Sequence, residues 1–280
     1  MRSRPFAQVN VFSTQPLRGN PLAVVVDGSG LTDAEMQRFA SWTNLSETTF
    51  LLEPTTSAAD YRVRIFTTTG EYPFAGHPTL GSAHAWLEAG GRPRAGGRIV
   101  QECGAGLVTL REDGGRWAFA GPPLTRYERP DGATLDRAAA ALRIDHGDVL
   151  DASWLVNGPD WLGIRLASAA QVLAVRPDPA LLTGMKLGVL GPHDPDPADP
   201  HAPAFEVRAL KGTGQEDPAT GSLNAGAGRW LMDTGVAPER YVAAQGTALG
   251  RAGRVHVRAA DGEIWVGGDT ATVITGTVTL

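Results

Sequence analysis

The feature that most constrains this chain is a repeat. The run Glu71-Tyr72-Pro73-Phe74-Ala75-Gly76-His77-Pro78-Thr79-Leu80-Gly81 returns in altered form from Glu216 onward. Without a gap, Glu71 meets Glu216, Pro73 meets Pro218, Gly76 meets Gly221, Gly81 meets Gly226 and Gly90 meets Gly235. Upstream, Val63-Arg64 matches Val207-Arg208 once one residue is inserted. Both copies read as strand, polar loop, Glu-x-Pro, Gly and helix. A period of about half the chain length implies two similar halves and not a solenoid. The helix of the first copy carries Gly81, Ser82, Ala83 and Ala85, that of the second Ala225, Gly226, Ala227 and Gly228. Small residues on so many sides are poor for helix propensity. They fit a helix that sheet backbone approaches all round. The expected fold is therefore strand-rich α+β, with two pseudo-symmetric halves, each a curled β-sheet or barrel around a central helix.

Each copy also points to an anion site. Pro78 suits a first helical turn, where its missing N–H costs nothing, and Ser222 is read as the N-cap of the second helix. At Gly76 and Gly221 no Cβ blocks a ligand. Amides and the positive dipole end at a helix N-terminus favour a carboxylate or phosphate.

The rest of the chain sets the bounds. Its 280 residues suffice for two cores. A net charge of −5 argues against nucleic-acid or anionic-membrane partners. No apolar run has the length of a membrane span, and Met1–Val11 lacks the apolar core of a signal peptide; a cytoplasmic location is expected. Cys103 is the only cysteine, which leaves no internal disulfide and no thiolate metal cluster. Thr32-x-x-Glu35 is a capping box that opens a helix to about Trp42. The apolar, β-branched residues after Glu47 form a strand, which puts Glu47 at a helix-to-strand junction beside buried sequence, where a carboxylate can serve as general acid/base. Gly121-Pro122-Pro123 reads as a linker. A helix is expected over Leu135–Leu142 and strands over Val172–Val175 and at the C-terminus. His193, Asp194, Asp196, Asp199 and His201 suggest a metal, but the prolines at 192, 195, 197, 200 and 203 hold that stretch extended, so it is read as a solvated loop. There is no P-loop ending, no Gly-x-Ser-x-Gly elbow and no dinucleotide fingerprint. Acid/base chemistry by Glu47, His77 and Asp217 remains.

At these residues the chain resembles the PhzF family, phenazine-biosynthesis isomerases of the diaminopimelate-epimerase-like fold. The matching segments are Val9–Phe12, Gly19–Val25, Asn44–Phe50, Pro73–Gly81, Glu216–Ser222 and Gln245-Gly246-x-x-x-Gly250-Arg251. The resemblance implies a site in a cleft between the halves, a homodimer, and no cofactor or metal. It implies that Glu47 shuttles a proton with His77 and Asp217, and that the backbone at Gly76, His77, Gly221 and Ser222 holds a substrate carboxylate. It also places the halves at residues 1–121, joined by the returning strand 268–280, and at 122–267. Related racemases use two cysteines before the paired glycines; here those places are Ala75 and Thr220, so two-thiol chemistry is excluded. Thr68, Leu210, Leu223 and Asn224 depart from the family pattern, and Asn224 is read as reaching the cleft mouth. The expected function is a proton-shifting isomerisation of a small carboxylate such as trans-2,3-dihydro-3-hydroxyanthranilate. The alternative is a binding protein that holds such an anion without turnover.

Overall fold

A computed structural model describes residues 1–199, 202–212 and 214–280. Pro200 and His201, part of the Pro/Asp/His stretch, lie outside the described residues. The chain divides into two units. Unit 1 comprises Met1–Ala120 and Gly267–Leu280; unit 2 is Gly121–Val266.

In chain order unit 1 holds β1 (Ser3–Val11), β2 (Asn20–Val25), α1 (Asp33–Thr43), β3 (Thr48–Leu52), β4 (Tyr61–Phe66), β5 (Glu71–Tyr72), α2 (Gly76–Glu88), β6 (Arg98–Cys103), β7 (Gly106–Asp113) and β8 (Arg116–Ala120). Unit 2 follows with α3 (Gly132–Leu142), β9 (Asp151–Val156), β10 (Asp160–Arg165), α4 (Ala169–Ala174), β11 (Lys186–Pro192), β12 (Phe205–Leu210), β13 (Glu216–Asp217), α5 (Gly221–Asp233), β14 (Arg240–Gln245) and β15 (Gly253–Ala260). The unit boundary falls inside β16 (Glu263–Gly268), and β17 (Thr270–Thr279) completes unit 1.

The two sheets are wired alike. In unit 1, β1 is antiparallel to β2, β2 parallel to β3, β3 antiparallel to β4, β4 parallel to β6 and β6 antiparallel to β7. In unit 2, β9, β10, β11, β12, β14 and β15 repeat that series. The two-residue strands β5 and β13 each fold back on the strand before them. Among the described residues neither ladder closes on itself, so each sheet is open and is not a barrel.

Register carries the repeat beyond the residues that sequence alone matched. Arg62 pairs with Glu102, and Glu206 pairs with Ala244. With Arg64 set on Arg208, the next positions align Cys103 with Gln245 and Gly104 with Gly246. Both glycines touch the Glu-x-Pro turn of their own unit. A Cβ on Gly104 would lie 2.8 Å from Pro73 Cα, and one on Gly246 2.6 Å from the Pro218 carbonyl oxygen.

The Glu-x-Pro turns are pinned by the same ion pair. Arg64 donates from Nε and Nη2 to the two oxygens of Glu71, at 2.8 and 2.6 Å. Arg208 does the same to Glu216, with Nη2 at 2.7 Å from Oε2. The third guanidinium nitrogen differs. Arg64 Nη1 reaches Asp33 in the first turn of α1, whereas Arg208 Nη1 donates to the Val175 and Val172 carbonyls at the end of α4.

The central helix of each unit is surrounded closely. Nine of the thirteen residues of α2 are buried, and it packs against β1, β2, β3, β8 and β17. A Cβ on Gly81 would meet Leu22 Cδ2 at 2.6 Å, which is why a residue without a side chain stands there. In α5, Gly226 and Gly228 face Leu155 and Val257 in the same manner. A second apolar layer in unit 1 sets Met36, Phe39 and Ala40 of α1 against Phe50 and Phe66. In unit 2, α3 and α4 add Ala138, Leu142 and Val172 to Leu162, Leu187 and Val189 of the sheet.

The capping box at Thr32 and Glu35 is present, and α1 runs one residue past Trp42. Two expectations need correction, and one strand was not expected. Val172–Val175, read as a strand, lies in α4 and its C-cap, because Ser168 caps that helix by accepting from the Gln171 amide at 3.2 Å. The strand β14 has no counterpart in the sequence reading. The N-cap of α5 is Thr220, not Ser222, whose hydroxyl instead accepts from Trp161 Nε1 at 3.0 Å.

Candidate active site

Unit 1 brings Glu47 and His77 together. Glu47 is the last residue before β3, and the parallel pairing of β3 with β2 buries the strand that follows it. His77 is the second residue of α2 and is 5% exposed. Glu47 Oε2 stands 3.5 Å from His77 Nδ1, and the Asn20 amide nitrogen lies 3.5 Å from the same ring nitrogen. Asn20 is fully buried at the start of β2, in register with Val11. The carboxylate and the imidazole are at ion-pair distance, longer than an ordinary hydrogen bond. Such distances shorten when a substrate orders the site.

The start of α2 is built to present backbone amides. Its N-cap, Ala75, has no side-chain oxygen, and no side-chain cap is made. Thr79 turns its hydroxyl back to the Ala75 carbonyl at 2.9 Å and accepts from Gln101 Nε2 at 3.0 Å. Gln101 in turn accepts from the Tyr61 hydroxyl at 2.8 Å. Burial raises the Tyr61 phenol well above its ordinary value, which keeps it neutral and a donor. The first turn at Gly76 and His77 is thus fixed from below.

In unit 2, Asp217 ends β13 and is 8% exposed. Thr220 Oγ1 donates to its Oδ2 at 2.7 Å, and Lys211 Nζ lies 3.9 Å from Oδ1. The Thr220 hydroxyl is therefore not spent on capping α5, whose first turn, like that of α2, has no side-chain cap. Gly221 and Ser222 are the first two residues of this helix. Asn157 Nδ2 donates to the Ser222 carbonyl at 2.9 Å and steadies that turn. Asn224 is fully buried and donates to the Thr220 carbonyl and to Gln245 Oε1, so it does not reach a site mouth as the sequence suggested.

Counterparts in the repeat divide the chemistry. Tyr72 stands where unit 2 has Asp217. Strand register places Lys186 where unit 1 has Glu47, since Thr48 pairs with Phe66 and Leu187 with Leu210. Lys186 is ion-paired to Asp160. Unit 1 therefore holds the Glu–His pair and unit 2 the aspartate. Asn20, Lys211, Thr220 and Gln245 were not singled out for a role in the sequence. The motifs Gly19-Asn20-Pro21 and Gln245-Gly246 were the available signals for two of them.

The Pro/Asp/His stretch begins in the sheet, where Pro192 pairs with Phe205. His193 Nε2 meets Glu206 Oε2 at 3.1 Å. Among the described residues no group of three or more His, Cys, Asp or Glu side chains is placed to hold a metal ion. No helix among them is long and apolar enough to cross a membrane.

Comparison with known proteins agrees with this architecture. The family model for phenazine biosynthesis-like proteins, PhzC-PhzF, matches residues 9–279. An uncharacterized isomerase of Pasteurella multocida is 32% identical over 267 residues, covering 95% of this chain and 90% of the relative. The trans-2,3-dihydro-3-hydroxyanthranilate isomerase of Pseudomonas aeruginosa is 36% identical over 177 residues, covering 62% of this chain and 61% of that enzyme. A PhzF-family crystal structure from Enterococcus faecalis superposes with a TM-score of 0.83 at 23% identity, covering 100% of both chains. The paired open sheets, the duplicated helix starts and these matches together place the chain in the PhzC-PhzF family, and it is an isomerase.

Proposed function

We propose that this isomerase moves a proton between two carbons of a small carboxylate-bearing substrate without a cofactor, and that trans-2,3-dihydro-3-hydroxyanthranilate is the first substrate to test. The observation that carries the reading is the mostly buried Glu47 carboxylate facing Nδ1 of a buried imidazole. The Glu47 carboxylate takes the proton from one carbon, the C–H electron pair enters the adjoining π system, and the resulting carboxylic acid returns a proton to the far carbon. Nothing is oxidised or reduced, and the enzyme ends as it began. His77 stands against Glu47 and orients its carboxylate. Asp217 serves as a second polar group toward the reacting atoms. The uncapped first turns at Gly76-His77 and Gly221-Ser222 offer backbone amides to the substrate carboxylate.

The test is turnover in deuterium oxide, followed by NMR. Deuterium should appear at the carbon that gains the proton whenever the Glu47 acid exchanges with solvent before returning it. Glu47→Gln keeps the shape and cannot carry the proton, so turnover should fall by about 10²–10⁴-fold with binding retained. Near wild-type turnover by that variant refutes the role of Glu47. Binding without turnover or exchange in the wild type would favour the non-catalytic carboxylate-binding protein.

A further inference from the structure

We infer that Gln245 is a positioning residue that acts through Thr220 to hold the Asp217 carboxylate in one orientation. This rests on the reading of Asp217 given above. Gln245 ends β14, in register with Val207 of β12 and Gly253 of β15, and is fully buried. Its amide touches the start of α5 and the Asp217 turn at once. Oε1 accepts from the Thr220 backbone N–H at 3.1 Å and from Asn224 Nδ2 at 2.8 Å. Nε2 donates to the Asp217 backbone carbonyl at 3.0 Å and to Thr220 Oγ1 at 2.9 Å.

The polarity of this network has one solution. The Thr220 N–H can only donate and the Asp217 carbonyl can only accept, so the Gln245 amide cannot be turned over. Thr220 Oγ1 already receives a proton from Nε2, and its own hydrogen is directed to Asp217 Oδ2, 2.7 Å away. Asp217 Oδ2 is thereby held as an acceptor, and the carboxylate plane is fixed with Oδ1 on the side of Lys211. A hydrogen bond to a charged acceptor in a buried setting is among the stronger kinds.

The backbone around Gln245 serves this contact. Gly246 has φ +86°, and a Cβ there would meet the Pro218 carbonyl oxygen at 2.6 Å and Arg251 Cβ at 2.9 Å. A Cβ on Gly253 would meet the Gln245 carbonyl oxygen at 2.7 Å. Glycines at both places let the end of β14 reach the Asp217-Pro218 turn. The unit 1 counterpart lacks the device. Cys103 stands at the Gln245 position and Tyr72 at the Asp217 position, while the Cys103 thiol lies 3.6 Å from the Gly106 carbonyl oxygen. The amide clamp occurs in the unit that carries the aspartate.

Crystal structures of Thr220→Val, Thr220→Ser and Gln245→Glu supply a test that needs no substrate. Valine keeps the volume and removes the hydroxyl; serine restores it. The Asp217 χ1 should move to another rotamer in Thr220→Val and return in Thr220→Ser. Gln245→Glu replaces the donor to Thr220 by an acceptor, which draws the hydroxyl away and should displace Asp217 as valine does. If that variant does not fold, as judged by thermal melting, the threonine pair decides. An unmoved Asp217 in Thr220→Val overturns the inference. The kinetic arm uses trans-2,3-dihydro-3-hydroxyanthranilate. Thr220→Val should lower kcat about 10-fold or more with KM near that of the wild type, and should add nothing to Asp217→Asn. Independent, multiplying losses in that double variant overturn the inference. Full turnover by Asp217→Asn refutes the role of Asp217 itself, a result separate from the rotamer readout.

Discussion

Replacing Arg208 by methionine should cost unit 2 far more than the matching change at Arg64 costs unit 1. The side chains of Arg208 and Glu216 are 6% and 8% exposed, whereas those of Arg64 and Glu71 are 18% and 40% exposed. Arg208→Met leaves the Glu216 carboxylate buried without its charge partner and takes the donor from two carbonyls at the end of α4. Breaking a buried pair from one side costs about 3–5 kcal/mol. Arg64→Met leaves Glu71 and Asp33 open to water, and an exposed pair is worth about 0.2–1 kcal/mol. For a unit of this size each kcal/mol lowers Tm by about 2–4 °C. The expected losses are therefore about 6–20 °C for Arg208→Met and about 0.4–4 °C for Arg64→Met. Differential scanning calorimetry of the full chain would read both. Adding Glu216→Leu to Arg208→Met removes the stranded charge and should recover much of the loss. Equal shifts for the two single variants, or no recovery in the double variant, would refute the argument from burial.

The pH dependence of stability should carry a signature of Glu206. Burial pushes this carboxyl above its ordinary value, with the Thr247 hydroxyl, His193 and Arg254 pulling it partway back. A raised folded value means the folded state binds the proton more tightly. The favourable contribution is complete below the unfolded value of 4.5 and is lost as pH rises through the folded one. Glu206→Gln should flatten the stability–pH curve in that window, measured by urea titration, and an unchanged slope would refute it. The chain is also expected to sediment as a homodimer at micromolar concentration. The ten-residue strand β17 is uncharged and leaves Val273 and Ile274 exposed, and a stable monomer would refute the expectation.

What the sequence reveals is the part of the fold set by local chemistry. Thr32 and Glu35 announce α1 because both capping partners lie within one turn of chain. The paired Glu-x-Pro-x-x-Gly runs locate both central helices because glycine and proline restrict the backbone wherever they fall. Val172 and Val175 are β-branched and point to a strand, whereas the folded chain uses Ser168-x-x-Gln171, a helix-start pattern, to open α4. Residue type alone points to Ser222 as the N-cap of α5. Thr220 holds that place although it gives its hydroxyl to Asp217, and only the folded chain shows that choice. Asn224 looked like a site residue because it replaces a small one. Its partner Gln245 lies twenty-one residues on, and nothing local links the two.

The repeat itself explains why the site residues were harder to read than the scaffold. The duplicated positions are those that build each unit: the arginine that pins the Glu-x-Pro turn, the glycine that opens the helix, the small residues that let the sheet close on it. These face the same demand twice, and so they match. The positions that do chemistry differ between the copies. Ala75 faces Thr220, His77 faces Ser222, Tyr72 faces Asp217, Cys103 faces Gln245, and Glu47 faces Lys186. A search for identity between the copies therefore finds the frame and passes over the site. Within a duplicated frame, the mismatches at the helix starts are the places to look for function. The clamp at Gln245 follows from that rule: it stands in the unit whose turn carries a carboxylate to be held, and the other unit fills the same place with a thiol 3.6 Å from a carbonyl oxygen of its own hairpin.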